Sequence, residues 1–293
     1  MKIEEKMQLR ADALIEALPY LQQFRGRTFL IKVGGSAMED AQLVERLIRD
    51  IVFLDAVGIR TVVVHGGGKA INAKLREAGI KAHFIGGLRV TDPETMAVVE
   101  QVLDGPVQQQ IVKSMVDHGA SARGLSGKQV FRAQRVEPTI GENGEVVDLG
   151  LVGEVTSVDP GQVAHALAQH AVPVISPLAV DEAGYTLNVN ADVAASALAI
   201  ALKVSKCIYL SDVPGIMRDP TQPESLISSI NRESAERLIS DGIIHGGMIP
   251  KISSALEALD KGVEKIHFID GRISHSLLLE VFTTEGIGTQ VVR

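Results

Sequence analysis

The chain has 293 residues, 45% of them hydrophobic and 22% charged, a balance that suits a soluble globular protein of one large or two closely joined domains with an ample core. Its formal net charge of −7 gives no general attraction to phosphate backbones or anionic lipid surfaces, so neither nucleic acid nor membrane is an expected partner and any phosphate binding must be local. The single cysteine, Cys207, can neither form an internal disulfide nor supply a metal cluster, and its apolar setting Cys207-Ile208-Tyr209-Leu210 reads as that of a buried structural thiol. Met1 to Arg10 is charged rather than apolar, and no stretch approaches the roughly 20 apolar residues that span a bilayer, so a reducing cytoplasm is the default expectation.

From Ile3, apolar residues at Met7, Ala11, Leu14 and Leu18 recur at helical spacing among charged ones, which predicts an amphipathic helix that stops at Pro19. Thr28 to Val33 reads as a buried strand ending at Gly34-Gly35-Ser36, and Ala41 to Ala56 as a helix. Thr61 to Val64 is a second β-branched strand, running into His65-Gly66-Gly67-Gly68 and a helix from Lys69 to Glu77. Two helices follow from Asp92, broken near Gly105-Pro106, and the stretch from Lys128 to Val158 alternates, with Asn143-Gly144 as a hairpin turn. Val172 to Ser176 is a strand, Ala191 to Leu202 a helix, Cys207 to Leu210 a strand, Met248 to Lys261 a helix and Lys265 to Ile269 a late strand. The alternation predicts an α/β fold whose largely parallel sheet is covered on both faces, with a soft boundary near Pro177 and no internal repeat.

In such sheets ligands bind at the carboxyl ends of the strands, where the next helix offers unpaired N–H groups to anions. Gly34-Gly35 and Gly66-Gly67-Gly68 stand at that edge, either as tight turns or as amide cradles for an oxyanion. A Walker A loop would need a glycine where Val63 stands and Ser or Thr at Ala70, and a dinucleotide fingerprint would need its third glycine at Ile71, so both are excluded. Lys32 lies inside an apolar strand, where its ammonium needs a partner or ligand unless it reaches water from an edge. Lys251 stands in the first turns of a helix, where a cation opposes the dipole and calls for a compensating anion. Asn190 is an N-cap candidate and Asp192 occupies the dipole-favoured first turn, while capping leaves Asn188 unexplained and available to a ligand. Ser211-Asp212-Val213-Pro214-Gly215 is a further strand-end loop, or simply a turn.

Six segments in order resemble the acetylglutamate kinase branch of the amino acid kinase family. They are Ile31-Lys32-Val33-Gly34-Gly35, Val64-His65-Gly66-Gly67-Gly68, Gly87-Leu88-Arg89-Val90-Thr91-Asp92, Asn188-Val189-Asn190-Ala191-Asp192, Leu210-Ser211-Asp212-Val213-Pro214-Gly215 and Gly246-Gly247-Met248-Ile249-Pro250-Lys251. Gly-Leu-Arg-Val-Thr and Asn-x-Asn-Ala-Asp favour this branch over aspartate, uridylate or carbamate kinases. The resemblance implies a three-layer αβα sandwich preceded by the amino-terminal helix. Its parts are 1–25 for oligomerisation, 26–176 for acetylglutamate and subunit contacts, and 177–293 for ATP and an arginine site.

It also implies an activity in arginine biosynthesis, the ATP-dependent phosphorylation of the side-chain carboxylate of N-acetyl-L-glutamate, with Mg²⁺ carried by the nucleotide and no metal held by the protein alone. The catalytic groups would be Lys32, Lys251 and Asp192, with Gly34 and Gly35 on phosphate. Gly67, Gly68, Arg89 and Asn188 would hold the substrate, and Ser211, Asp212, Val213, Gly215 and Met248 the nucleotide. The amino-terminal helix and the tail resemble the arginine-sensitive subgroup, in which such helices interlace dimers into a hexamer and L-arginine binds alongside. By position, His267, Glu280 and Gly286 would contribute to that pocket, and some members bind a PII-type regulator. The chain departs from the family pattern at Lys69, commonly proline, at Pro106-Val107-Gln108-Gln109-Gln110 and at Gly127-Lys128-Gln129. Rival readings are a kinase of a related acid such as an aminoadipate derivative, and a non-catalytic amino-acid sensor, against which intact Lys32, Asp192 and Lys251 argue.

Overall fold

The computed structural model describes residues 3–38, 40–140 and 145–293. Helix α1 (Ile3–Phe24) leads into β1 (Thr28–Val33), α2 (Ala41–Ala56), β2 (Arg60–His65) and α3 (Gly68–Glu77). A small hairpin, β3 (Phe84–Ile85) and β4 (Leu88–Arg89), precedes α4 (Pro93–Val102), a π-helical turn (Leu103–Val107) and α5 (Gln108–Asp117). Then come β5 (Ala122–Leu125), β6 (Phe131–Arg135), β7 (Thr139–Ile140), β8 (Val146–Val147), β9 (Val152–Val158), α6 (Gly161–Ala168), β10 (Val172–Ile175), β11 (Leu178–Val180) and β12 (Thr186–Val189). The remainder comprises α7 (Ala191–Leu202), β13 (Lys206–Ser211), β14 (Ser229–Ile230), α8 (Arg232–Ser240), α9 (Met248–Asp260), β15 (Lys265–Asp270), α10 (Ser276–Phe282) and β16 (Thr289–Val291).

Among the described residues, one eight-stranded sheet runs in the order β14-β16-β15-β13-β1-β2-β10-β5, parallel except where β15 meets β16. Both faces of its central strands are covered, which is why they read as continuous apolar runs. Phe29, Ile31 and Val63 face α2, α4 and α5, whereas Leu30, Val62 and Val64 face α6, α7 and α9. The sheet therefore passes without interruption across the expected boundary near Pro177, because β13 pairs directly with β1. A small closed barrel of β11, β12, β9 and β6 stands beside it. No helix among the described residues is long and apolar enough to cross a membrane.

Two sequence expectations need amendment. Helix α1 does not stop at Pro19 but continues to Phe24. Proline removes one backbone donor, yet Tyr20 and Leu21 pack on the core and the Phe24 ring meets Phe29 edge-on at 5.2 Å, so tertiary contacts carry the helix through. The break near Gly105-Pro106 is a π-helical turn with Gly105 outside helical geometry rather than a full interruption. The expected turn at Asn143-Gly144 lies outside the described residues, but its flanks pair antiparallel, Thr139 with Val147 and Ile140 with Val146. Cys207 is fully buried, and burial pushes its thiol up to about 12.

The departures around 106–110 and 127–129 each find partners within the fold. Gln108 is buried, and its Nε2 donates to the carbonyls of Leu125 at 2.9 Å and Val174 at 3.1 Å, tying α5 to β5 and β10. Lys128 pairs with Glu100 and lies 3.6 Å from Asp104, so the charge introduced there is held by two carboxylates.

Candidate active site

Because β1, β2, β10 and β13 are parallel, the loops after them gather at one edge of the sheet. Lys32 shares the face of Leu30 by strand alternation, and that face is the one covered by α7 and α9. Helix α7 begins there, with Asn190 accepting from the N–H groups of Asp192 at 2.8 Å and Val193 at 3.4 Å. The cap fixes Asp192 in the first turn, where the helix dipole favours its charge. Lys32 Nζ lies 2.7 Å from Asp192 Oδ1, and Lys251 Nζ, from the first turn of α9, lies 3.8 Å from Asp192 Oδ2. Two ammonium groups from distant parts of the chain thus converge on one carboxylate. A Cβ on Gly34 would come within 2.7 Å of Lys32 Nζ, so the absence of a side chain there lets the lysine lie across the strand end.

Asp192 separates two cavities. One, of about 230 Å³, is lined by Lys32, Gly34, Gly67, Gly68, Arg89 and Asn188 among others. The other, of about 300 Å³, lies on the Lys251 side over the stacked rings of Tyr209 and Phe268, 5.2 Å apart. Within the first, Arg89 is only 7% exposed, its guanidinium 4.6 Å from the Phe84 ring centre. Its Nη2 donates to the Gly68 carbonyl at 3.3 Å, while Nη1 is buried with no partner among the described residues. Burial lowers the Arg89 pKa, the direction expected of a cation waiting for an anion. Asn188 donates through Nδ2 to Thr91 Oγ1 at 3.1 Å and lines the same cavity. Gly35 also lines it, in the left-handed region at φ +65°. Gly67 and Gly68 open α3 with no side-chain cap, so the helix N-terminus is presented to whatever fills the space.

The structure does not bring the other nucleotide candidates into either cavity. Ser211, Asp212, Val213 and Gly215 lie on and after the end of β13, and Met248 opens α9 against the core. Gly215 has a packing reason of its own, since a Cβ there would sit 2.5 Å from Thr289 Oγ1.

Far from this edge, a third cavity of about 310 Å³ lies between the end of α1 and the α10 region, lined by Tyr20, Phe24, Lys206, His267, Glu280 and Gly286 among others. His267 Nδ1 donates to Glu280 Oε1 at 2.6 Å, and its Nε2 faces Lys206 Nζ at 3.1 Å. The other Glu280 oxygen accepts from the N–H groups of Ile287 at 2.8 Å and Gly288 at 3.0 Å. Burial pushes His267 down to about 4 and Lys206 down to about 8. Burial alone would raise Glu280, but the His267 bond and the two amides hold its carboxyl below the usual range. Gly286 is required by this packing, at φ +63° and with a Cβ position 2.8 Å from Glu280 Oε2. Lys206 escaped the sequence reading although the signal was present: like Lys32, it is a lysine in an otherwise apolar buried strand.

A mostly parallel sheet bearing lysines and glycine amides at its strand ends is an arrangement suited to phosphoryl transfer, and the chain belongs to the amino acid kinase family, whose profile matches residues 27–270. Over 285 residues it is 50% identical to the acetylglutamate kinase of Akkermansia muciniphila, covering 97% of this chain and 96% of that one. Among solved structures, N-acetylglutamate synthase from Neisseria gonorrhoeae, complexed with coenzyme A and N-acetyl-glutamate, superposes with a TM-score of 0.82 at 27% identity over 97% of this chain. The chain spans 63% of that synthase. The same synthase complexed with coenzyme A and L-arginine gives a TM-score of 0.80 at 26% identity, over 96% of this chain and 65% of that one.

Proposed function

We propose that this protein transfers the γ-phosphoryl group of ATP to the side-chain carboxylate of N-acetyl-L-glutamate, forming an acyl phosphate and releasing ADP. The observation that carries the reading is the convergence of Lys32 and Lys251 on Asp192 between two cavities, in a chain half identical to an acetylglutamate kinase. A side-chain carboxylate, with an ordinary pKa near 4.3, is already ionised at neutral pH and needs no general base. The barrier is repulsion between that carboxylate and the triphosphate. As the new bond from carboxylate oxygen to γ-phosphorus forms and the bridge to the β-phosphate breaks, charge spreads over the equatorial oxygens.

Lys32 approaches those oxygens from the smaller cavity and Lys251 from the larger, each oriented by Asp192. Amides at Gly34, Gly35, Gly67 and Gly68 add donors. Mg²⁺ carried by the nucleotide supplies the remaining positive charge, and Asp192, engaged by both lysines, is not needed to hold it. Acetylglutamate fits the 230 Å³ cavity, with the unpartnered Nη1 and the neighbouring nitrogen of Arg89 forming a bidentate pair with its α-carboxylate and the Asn188 amide lying alongside. ATP lies over the open strand edge from Ser211 to Gly215 and Met248, mainly on residues 177–293, with acetylglutamate mainly on 26–176.

We assign the 310 Å³ cavity to L-arginine as a feedback inhibitor, acting in the cytoplasm in arginine biosynthesis. Supporting this are Glu264 and Glu285 on its wall, whose carboxylates suit a guanidinium, and the participation of α1 through Tyr20, while Glu280 lines the same wall with its oxygens already accepting from His267 and two backbone amides. Residues Met7, Leu9, Leu14 and Ile15 of α1 are exposed by 65–69%, an apolar surface that suits interlacing of dimers into a hexamer. The same exposed helices leave room for a PII-type regulator at the hexamer's periphery.

The reaction is tested by incubating the protein with ATP, Mg²⁺ and acetylglutamate and trapping the acyl phosphate with hydroxylamine. Hydroxamate formation exceeding that with the one-carbon-longer homologue is expected. No hydroxamate, or a preference for the homologue, overturns the assignment. Repeating the assay with arginine, and finding no inhibition at any concentration, removes the second assignment while leaving the first.

A further inference from the structure

His65 has no task in the chemistry above, yet it ends β2 immediately before the glycine run and is fully buried. Strand alternation places it on the face of Val63, within the layer formed by α4 and α5. Its Nδ1 lies 2.9 Å from the carbonyl oxygen of Gly66, and its Nε2 is buried without a partner among the described residues. A carbonyl oxygen can only accept, so the ring proton sits on Nδ1. Burial pushes the ring down to about 4, outweighing the Gly66 bond and the attraction of Asp104, so the imidazole is neutral with Nε2 bare. A lone buried acceptor is costly, and its retention next to the glycine run calls for a compensating role.

Resting on the phosphoryl-transfer reading for the purpose of the amides, we infer that His65 is a positioning residue. Its Nδ1–H holds the Gly66 carbonyl and so turns the Gly67 N–H into the 230 Å³ cavity, toward the acceptor carboxylate and the phosphoryl group it receives. In a trans planar peptide the C=O and the following N–H point in opposite directions, so fixing one fixes the other. Gly66 is pinned on its other side as well, its N–H donating to the Val33 carbonyl at 2.7 Å. With β1 holding one side of Gly66 and His65 the other, a peptide between two glycines loses the freedom to flip that glycine otherwise grants. Gly67 is itself wedged, since a Cβ there would meet Leu103 at 2.6 Å, so the loop is confined from three directions. Preorganised amides aimed at developing charge are the element that accelerates such a transfer, and a loose peptide would forfeit it.

The test separates the two ring positions. His65→Asn places an amide nitrogen where Nδ1 stands, whereas His65→Gln places it near Nε2. In the full chain, H65N should retain kcat within about 3-fold of the parent, and H65Q should lose about 10-fold or more with KM for acetylglutamate moving less than about 3-fold. Equal activity of the two variants, or a loss confined to KM, overturns the inference. Nitrogen NMR of the parent protein labelled at histidine should find His65 neutral at pH 7, protonated at Nδ1 and bare at Nε2. A proton on Nε2, or a doubly protonated ring, overturns it even if neither variant folds. A parent protein that turns over no acetylglutamate would instead refute the proposed reaction, and the NMR result would still decide the tautomer.

Discussion

The cavity at the strand ends and the cavity beside α1 are built from the same materials, buried cations, a carboxylate and glycines, but they balance them differently. Beside α1 the polar groups satisfy one another: Lys206 faces His267, His267 donates to Glu280, and the second Glu280 oxygen takes two backbone amides. At the strand ends they do not, for Arg89 keeps a buried nitrogen without a partner and two lysines share a single carboxylate. A satisfied network contributes to stability and fixes the wall of its cavity, whereas the unpartnered Arg89 nitrogen is satisfied only when a ligand arrives. Replacements at the strand ends should therefore cost activity, and replacements beside α1 should cost stability together with the response to arginine.

The sharpest way to break this contrast is Lys32→Ala or Lys251→Ala. Each should lower kcat by roughly 10²-fold or more with a milder effect on KM, because the lost charge acts mainly in the transition state. Steady-state kinetics giving an unchanged kcat would remove either lysine from the chemistry.

Acid should act on both regions through buried histidines. His65 and His267 titrate near 4 in the folded protein against 6.5 for the free side chain. Between those values the unfolded chain binds more protons, so stability rises with pH through that window and is complete above it. Lowering the pH from 7 to 5 should cost on the order of 2 kcal/mol for each histidine, seen as a falling Tm that H65N makes shallower. Glu280, held below its ordinary 4.5, adds its own loss only at still lower pH. A Tm that is flat from pH 7 to 5 would contradict the burial of both rings.

Smaller effects sharpen the comparison further. Arg89→Ala should raise KM for acetylglutamate by roughly 10-fold or more while leaving kcat and Tm nearly unchanged, consistent with a ground-state pair to a carboxylate. Glu280→Gln should do the reverse, since an amide cannot accept from His267 and two backbone amides together. A loss of about 1–3 kcal/mol, read as a lower Tm by calorimetry, is expected. Under the proposed interlacing of dimers through α1, deleting residues 1–20 should leave dimers in place of a hexamer and weaken the proposed response to arginine, and a truncated protein that sediments as a hexamer would refute the interlacing role.

Local chemistry settled much of this protein in advance. Apolar β-branched runs closed by glycine and followed by amphipathic stretches define strand, turn and helix within a few residues, so α2, β1, α7 and the parallel sheet were legible from the amino acids. Lys32 and Lys251 could be singled out as well, because a lysine in a buried strand and a lysine at a helix N-terminus are each costly in isolation. Only the tertiary structure decided that both meet at Asp192, since that depends on β13 pairing with β1 and on α7 and α9 covering the same face, contacts between segments remote in the chain. The same holds for Pro19, which packing of Tyr20 and Phe24 overrides, and for Lys206 and His65, whose roles lie in the partners that folding brings to them or withholds. Propensity acts over neighbours along the chain, while convergence and burial are properties of the whole sheet.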